Sequence, residues 1–175
     1  PCADPENNIY CLRATDSKGI EFVRVTAAGA ETVLHSVDPG KQGARRALVA
    51  AGPAIDPERA VVYFVANLDQ GGLLHAWALK SGKLLWTYPL AASVQASPAI
   101  LPNGLVVVAD LSGYVRGIGP DGSLQYRYAS GCEYLLAGGA GEAGGAFFFG
   151  DPLGMVHTLN AQGSGRIIFE AKRSI

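Results

Sequence analysis

Four times the chain writes Asp-x-x-Gly between strand-like runs, with the pairs Asp16 and Gly19, Asp69 and Gly72, Asp110 and Gly113, and Asp151 and Gly154. A second glycine follows each pair (Gly29, Gly82, Gly122 and Gly165), and four positions beyond it stands a bulky apolar residue: Val33, Trp86, Tyr126 and Phe169. Two turn signals in each unit of roughly 40–50 residues predict an array of small antiparallel sheets. The repeat also accounts for nearly every polar residue that would otherwise be read as chemistry.

Laid beneath one another, the units give four short strands each. The first ends in a proline-marked turn in units one to three, and the fourth unit offers instead the glycine-rich stretch 138–145. The second strand is the most hydrophobic, at 9–12, 61–66, 105–109 and 146–149; the third covers 20–25, 73–79, 114–118 and 155–159. The fourth covers 31–35, 83–88, 123–128 and 166–170. Short β-branched and aromatic runs bounded by Gly, Pro, Asn and Asp are strand signals and too short for helices. No stretch joins apolar residues at helical spacing to start and stop caps, so no substantial helix is expected. The units fall at about 1–36, 49–90, 91–130 and 131–172, with a polar, basic insert at 37–48 carrying Lys41, Arg45 and Arg46.

Composition narrows the function classes. With 49% hydrophobic and 17% charged residues, 23 glycines and 10 prolines, the chain is turn-dense and globular rather than disordered. Fourteen Lys and Arg against fifteen Asp and Glu leave a net charge of −1, so no electrostatic footprint for nucleic acid or an anionic membrane is visible. No apolar run approaches the ~20 residues needed to span a bilayer. Opening on Pro1 without initiator Met or signal peptide, the chain reads as a processed or excised segment. Cys2 and Cys11 flank a turn-like segment at 4–8, so on paired strands they come within disulfide reach; two free buried thiols are the alternative. Cys132 reads as a lone small hydrophobe. The compartment leans extracytoplasmic if the bridge forms.

The polar features are explained by structural roles. Asp at the start of a tight turn bonds a backbone amide two residues on, and Gly at the fourth position takes a left-handed conformation at no steric cost. Calcium binding by the four aspartates lacks the alternating Asp/Asn ladder of an ion loop. Trp86, Tyr126 and Phe169 recur at one position, which suits a ring wedged between neighbouring sheets better than a platform for a cofactor or sugar. His75 and His157 share a third-strand column that Val23 and Arg116 fill elsewhere, and no carboxylate pattern accompanies them as metal ligands. The 138–145 stretch lacks the Lys-Ser/Thr and helix of a phosphate loop. No serine or cysteine nucleophile sits on a recognisable elbow.

Ala76-Trp77-Ala78-Leu79-Lys80-Ser81-Gly82-Lys83-Leu84-Leu85-Trp86 resembles the tryptophan-docking pattern of the PQQ-like, or quinoprotein-type, β-propeller repeat, with Ala78 where that pattern has Asp. Ser97-Pro98-Ala99-Ile100 and Pro120-Asp121-Gly122-Ser123-Leu124 are similar to further segments of the family. The resemblance covers essentially the whole chain and is strongest at 52–130. It implies an all-β propeller of four-stranded antiparallel blades, four of them in this chain; since rings of this family usually have seven or eight, the expectation is half of a ring completed by a partner chain or a second copy, with an incomplete fragment of a longer chain and a closed four-bladed ring as the alternatives. The same repeat builds enzymes, outer-membrane assembly lipoproteins and sensor ectodomains. With no reactive constellation, the expected function is a non-enzymatic, extracytoplasmic scaffold for protein binding, without a cofactor or metal. Loops feeding the first strands, with Arg45, Arg46, Gln95, Glu133 and Tyr134, are the expected contact sites. The alternatives are a fragment of a quinoprotein dehydrogenase, which would need PQQ, calcium and a catalytic Asp and Arg, and a ligand-sensing domain.

Overall fold

A computed structural model describes residues 1–132, 141–143 and 145–171. Among them are seventeen strands, no α-helix, and four antiparallel sheets. The chain divides into two compact units, Pro1–Ser93 and Val94–Ile175.

In the first unit, β1 (Cys2–Ala3), β2 (Ile9–Ala14), β3 (Ile20–Val25) and β4 (Glu31–Val37) pair in chain order as one meander. The second sheet holds β5 (Ala47–Leu48), β6 (Ala54–Asp56), β7 (Val61–Leu68), β8 (Gly72–Ala78) and β9 (Lys83–Leu90). Here β5, which comes from the basic insert, adds a fifth strand: it pairs with the end of β7 while β6 pairs with its start. The core of this unit joins both sheets, with Tyr10, Ile20, Phe22 and Val37 packed against Val62, Phe64, Ala66 and Trp77. Phe22 stacks on Phe64 with ring centroids 4.7 Å apart.

The second unit repeats the scheme. Its third sheet is β10 (Ala99–Ile100), β11 (Val106–Ala109), β12 (Tyr114–Ile118) and β13 (Leu124–Ala129); its fourth is β14 (Gly141–Ala143), β15 (Ala146–Gly150), β16 (Met155–Leu159) and β17 (Gly165–Glu170). Leu101, Leu105, Val107, Ala109 and Val115 bury themselves against Phe147, Phe149 and Leu159. Strands β7 and β11 are buried along almost their whole length, which explains why the second strand of a unit reads as an unbroken apolar run.

The turn reading holds in the second unit and needs correction in the first. Asp110 and Asp151 each accept a backbone amide two residues on through the side chain, at 3.0 Å from Ser112 and 2.8 Å from Leu153. Gly113 and Gly154 take φ of +79° and +86°. In the first sheet the role belongs to Thr15, not Asp16: Thr15 Oγ1 accepts the Gly19 amide, and the left-handed residue is Lys18 at φ +63°. The Asp16 and Gly19 match is therefore one residue out of step. In the second sheet β7 runs on to Leu68, the loop tightens to Asp69 and Gln70, and Gly71 at φ +84° replaces Gly72 as the left-handed residue. The second turn of the last unit is likewise closed by Gly163 at φ +80°, with Gly165 already inside β17.

The disulfide expectation is overturned. Cys2 and Cys11 do lie on paired strands, but Cys2 stands opposite Tyr10, so the strand alternation sends the two side chains to opposite faces, and all three cysteines are free. Of the expected wedge rings, Tyr126 packs between Gly117 of its own sheet and Gly163 in a turn of the next. Trp86 is half-buried against Tyr63, with centroids 5.8 Å apart. Phe169 is 58% exposed and wedges between no described sheets.

Candidate functional site

Three loops of the first unit enclose a cleft of about 1040 Å³, and they carry most of its charge. One wall is the turn between β2 and β3. Its left-handed residue is Lys18, at the place that Gly113 and Gly154 hold in the second unit, and a lysine in that conformation costs about 1 kcal/mol or more. A second wall is the basic insert. A single 3-10 turn, Gly40–Gln42, ends on the left-handed Gly43 and aims the chain back across the sheet edge, so that Ala44, Arg45 and Arg46 line the cleft. The third wall is the β7–β8 turn with Asp69 and Gln70.

The walls are pinned to each other by hydrogen bonds. The Ala47 amide donates to the Lys18 carbonyl at 2.7 Å, tying the insert to the first turn. The Arg45 amide donates to Asp69 Oδ2 at 2.6 Å, and Arg46 Nε lies 3.6 Å from Asp69 Oδ1, tying it to the third. Asp69, expected as a turn former only, thus organises the insert. The single acid lining the cleft is engaged, while the Arg46 side chain stays 61% exposed and Lys18 and Arg45 form no ion pair among the described residues. Asp16 is exposed and lines none of it.

Of the expected contact residues, the structure brings Arg45 and Arg46 together on this cleft. Gln95 is exposed in the loop before β10, in the other unit. Glu133 and Tyr134 lie outside the described residues. Lys18 was missed because the Asp-x-x-Gly match sat one residue late; aligning Thr15 with Asp110 and Asp151 puts Lys18 in the glycine column.

A second polar cluster lies in the second unit. Asp151 Oδ2 accepts from His157 Nε2 at 2.8 Å and from Cys132 Sγ at 3.2 Å, while Oδ1 accepts the amides of Leu153 and Met155. Tyr128 Oη lies 3.4 Å from His157 Nδ1, and Phe149 stacks on the imidazole at 4.7 Å. Burial opposes the ionised Asp151, but these donors prevail and hold it at about 2. Burial, and then the neighbouring Asp151, push the Cys132 thiol up, away from nucleophilic thiolate. The third sheet repeats the pair with Asp110 and Arg116, both buried. Among the described residues no three His, Cys, Asp or Glu side chains converge to hold a metal. No helix among them is long and apolar enough to cross a membrane.

The arrangement of sheets is matched by solved proteins. BamB from Moraxella catarrhalis, a PQQ-like β-propeller, superposes with a TM-score of 0.64 at 19% identity, over 95% of this chain and 46% of that one. The computationally designed Ika4 protein gives 0.53 at 15% identity over 71% and 72% of the two chains, and the designed Ika8 protein 0.55 at 15% over 91% and 48%. The chain thus spans about half the length of BamB and of Ika8, and its fold is that of a β-propeller. No family model and no curated protein sequence matches it.

Proposed function

We propose that the protein is a non-enzymatic β-propeller scaffold whose ring is completed by another polypeptide, a partner chain or a second copy. The observation that carries the reading is β17: Ile167, Ile168 and Phe169 are 54%, 47% and 58% exposed, although the strand is the apolar fourth strand of its sheet. The sheet before it shows what such a strand receives when it has a neighbour. Tyr126 of β13 is covered by Gly163, from the third-to-fourth-strand turn of the following sheet. An equivalent turn exists in the first sheet, where Gly29, at φ +83°, faces open space. Contiguous exposed apolar residues of this kind mark association surfaces. Arg45 and Arg46 on the cleft of the first unit are the proposed contacts for a bound protein. An extracytoplasmic setting is proposed from the likeness to BamB alone, since the free cysteines lend it nothing.

Light scattering at micromolar concentration tests the completion. A particle heavier than the 18.2 kDa chain that returns to that mass on Ile167→Asp with Phe169→Asp is expected. A stable 18.2 kDa monomer before substitution would overturn completion by a second copy.

A further inference from the structure

We infer that the cleft walled by Lys18, Arg45, Arg46 and Asp69 recognises a carboxylate-rich protein segment. The inference rests on the binding reading above and names the chemistry of what is bound. Three cationic side chains come from two loops, and the one acid among the lining residues is occupied in holding the insert in place. The cleft therefore presents an excess of positive charge in a protein whose net charge is −1. Lys18 adds an independent sign. Its backbone adopts φ +63°, where the corresponding turns of the second unit use glycine, and strained residues of this type gather at functional sites. A glycine would relieve the strain and lose the ammonium.

The size and lining select among anions. A cleft of about 1040 Å³ is at the upper end for small-molecule sites, far more than a single inorganic phosphate would fill. No aromatic side chain is among its described lining residues, so they offer no stacking platform of the kind single-stranded nucleic acid uses. A flexible chain bearing several aspartates and glutamates meets both conditions, pairing its carboxylates with the guanidinium groups in the planar geometry that arginine favours.

The test uses the full chain and a labelled peptide of about twelve residues, half of them Asp and Glu, read by fluorescence anisotropy, beside the same peptide with Asn and Gln. Saturable binding of the acidic peptide alone is expected, weakening as salt rises from about 50 to about 200 mM. Lys18→Gly combined with Arg45→Gln should weaken it about tenfold, while the thermal midpoint is held or raised, because glycine suits that turn and the Arg45 amide keeps its bond to Asp69. Equal binding of the amide peptide, loss of binding to millimolar phosphate, or displacement by an oligonucleotide would each overturn the inference. The particle mass of the same samples is read in parallel; it tests the ring completion and is indifferent to these two substitutions, so either reading fails without the other.

Discussion

Gly117→Ala in the middle of β12 separates packing from backbone propensity. A Cβ at that position would lie 2.6 Å from Tyr126 Cζ and 2.8 Å from Cδ1, where ordinary contact begins at 3.4 Å. The ring cannot retreat freely, because its Cβ, Cγ and Cδ2 already lie close against Gly163. Overpacking of this kind costs about 1–3 kcal/mol. On an open strand the same change would help, since glycine in a strand is about 0.5–1 kcal/mol worse than alanine. The sign should therefore depend on the ring: destabilising by about 2 kcal/mol with Tyr126 in place, and stabilising by about 0.5 kcal/mol in a Tyr126→Ala background. The coupling energy of about 2–3 kcal/mol is read from a double-mutant cycle by urea denaturation, where it amounts to about 1 M in midpoint for a slope near 2 kcal/mol per M. A coupling below about 0.5 kcal/mol would show that Tyr126 is not wedged as described and would refute the reasoning.

Three further outcomes follow from buried polar groups. The Tyr126 hydroxyl is buried with no hydrogen-bond partner among the described residues, so Tyr126→Phe should raise stability by about 1 kcal/mol; a loss in urea midpoint would show that the hydroxyl is bonded. Asp151 titrates at about 2 in the fold against about 4 when unfolded, so its contribution of about 2 kcal/mol is complete above pH 4 and lost as pH falls toward 2. Asp151→Asn should flatten that part of the acid denaturation curve, and an unchanged slope would remove the assignment. Burial, with His35 adding to it, pushes His75 down to about 4, so the fold keeps it neutral while the unfolded chain takes up a proton below about 6.5. Stability should fall by about 3 kcal/mol between pH 6.5 and 4, and His75→Phe should remove most of that fall in urea midpoints measured at the two ends.

Most strands were legible because a two-residue alternation and turn glycines are local properties. The second strands stood out for a different reason: Val61–Leu68 and Val106–Ala109 are covered on both faces, so their sequence is apolar throughout but for Asn67. Exact turn alignment was less legible. Asp16 and Gly19 imitate the motif, yet the hydroxyl of Thr15 does the work that carboxylates do at Asp110 and Asp151, because any short side-chain oxygen at that place can accept the amide. The disulfide failed on register, which spacing around a turn does not reveal: one residue of offset placed Cys11 on the far face from Cys2. In the cleft, Arg45 and Arg46 were found through the basic insert, but the partnership with Asp69 needed the tertiary path that brings 24 residues of chain back on itself.

The clusters around Asp110 and Asp151 show why the repeat matters for judging chemistry. Cys132, Asp151 and His157 in mutual contact invite a nucleophile reading, but the bonds run through the carboxylate: thiol and imidazole both donate to Asp151 Oδ2, so the imidazole is not placed to take the proton from sulfur. The third sheet supplies the control. There Asp110 sits at the same turn position and Arg116 six residues on, as His157 follows Asp151, and they form the same buried pair. A carboxylate that closes a turn and also caps the following strand needs only a donor at that sixth place, and either arginine or histidine supplies one. In the second unit the local pattern is Asp-x-x-Gly-x-x followed by Arg or His; Asp69, Gly72 and His75 match it without forming the pair, because there the left-handed residue is Gly71, Asp69 holds the Arg45 amide and His75 Nδ1 meets Thr87 Oγ1. The choice between arginine and histidine alters the pH response, since a guanidinium stays charged throughout while an imidazole does not, and leaves the architecture of the sheet unchanged.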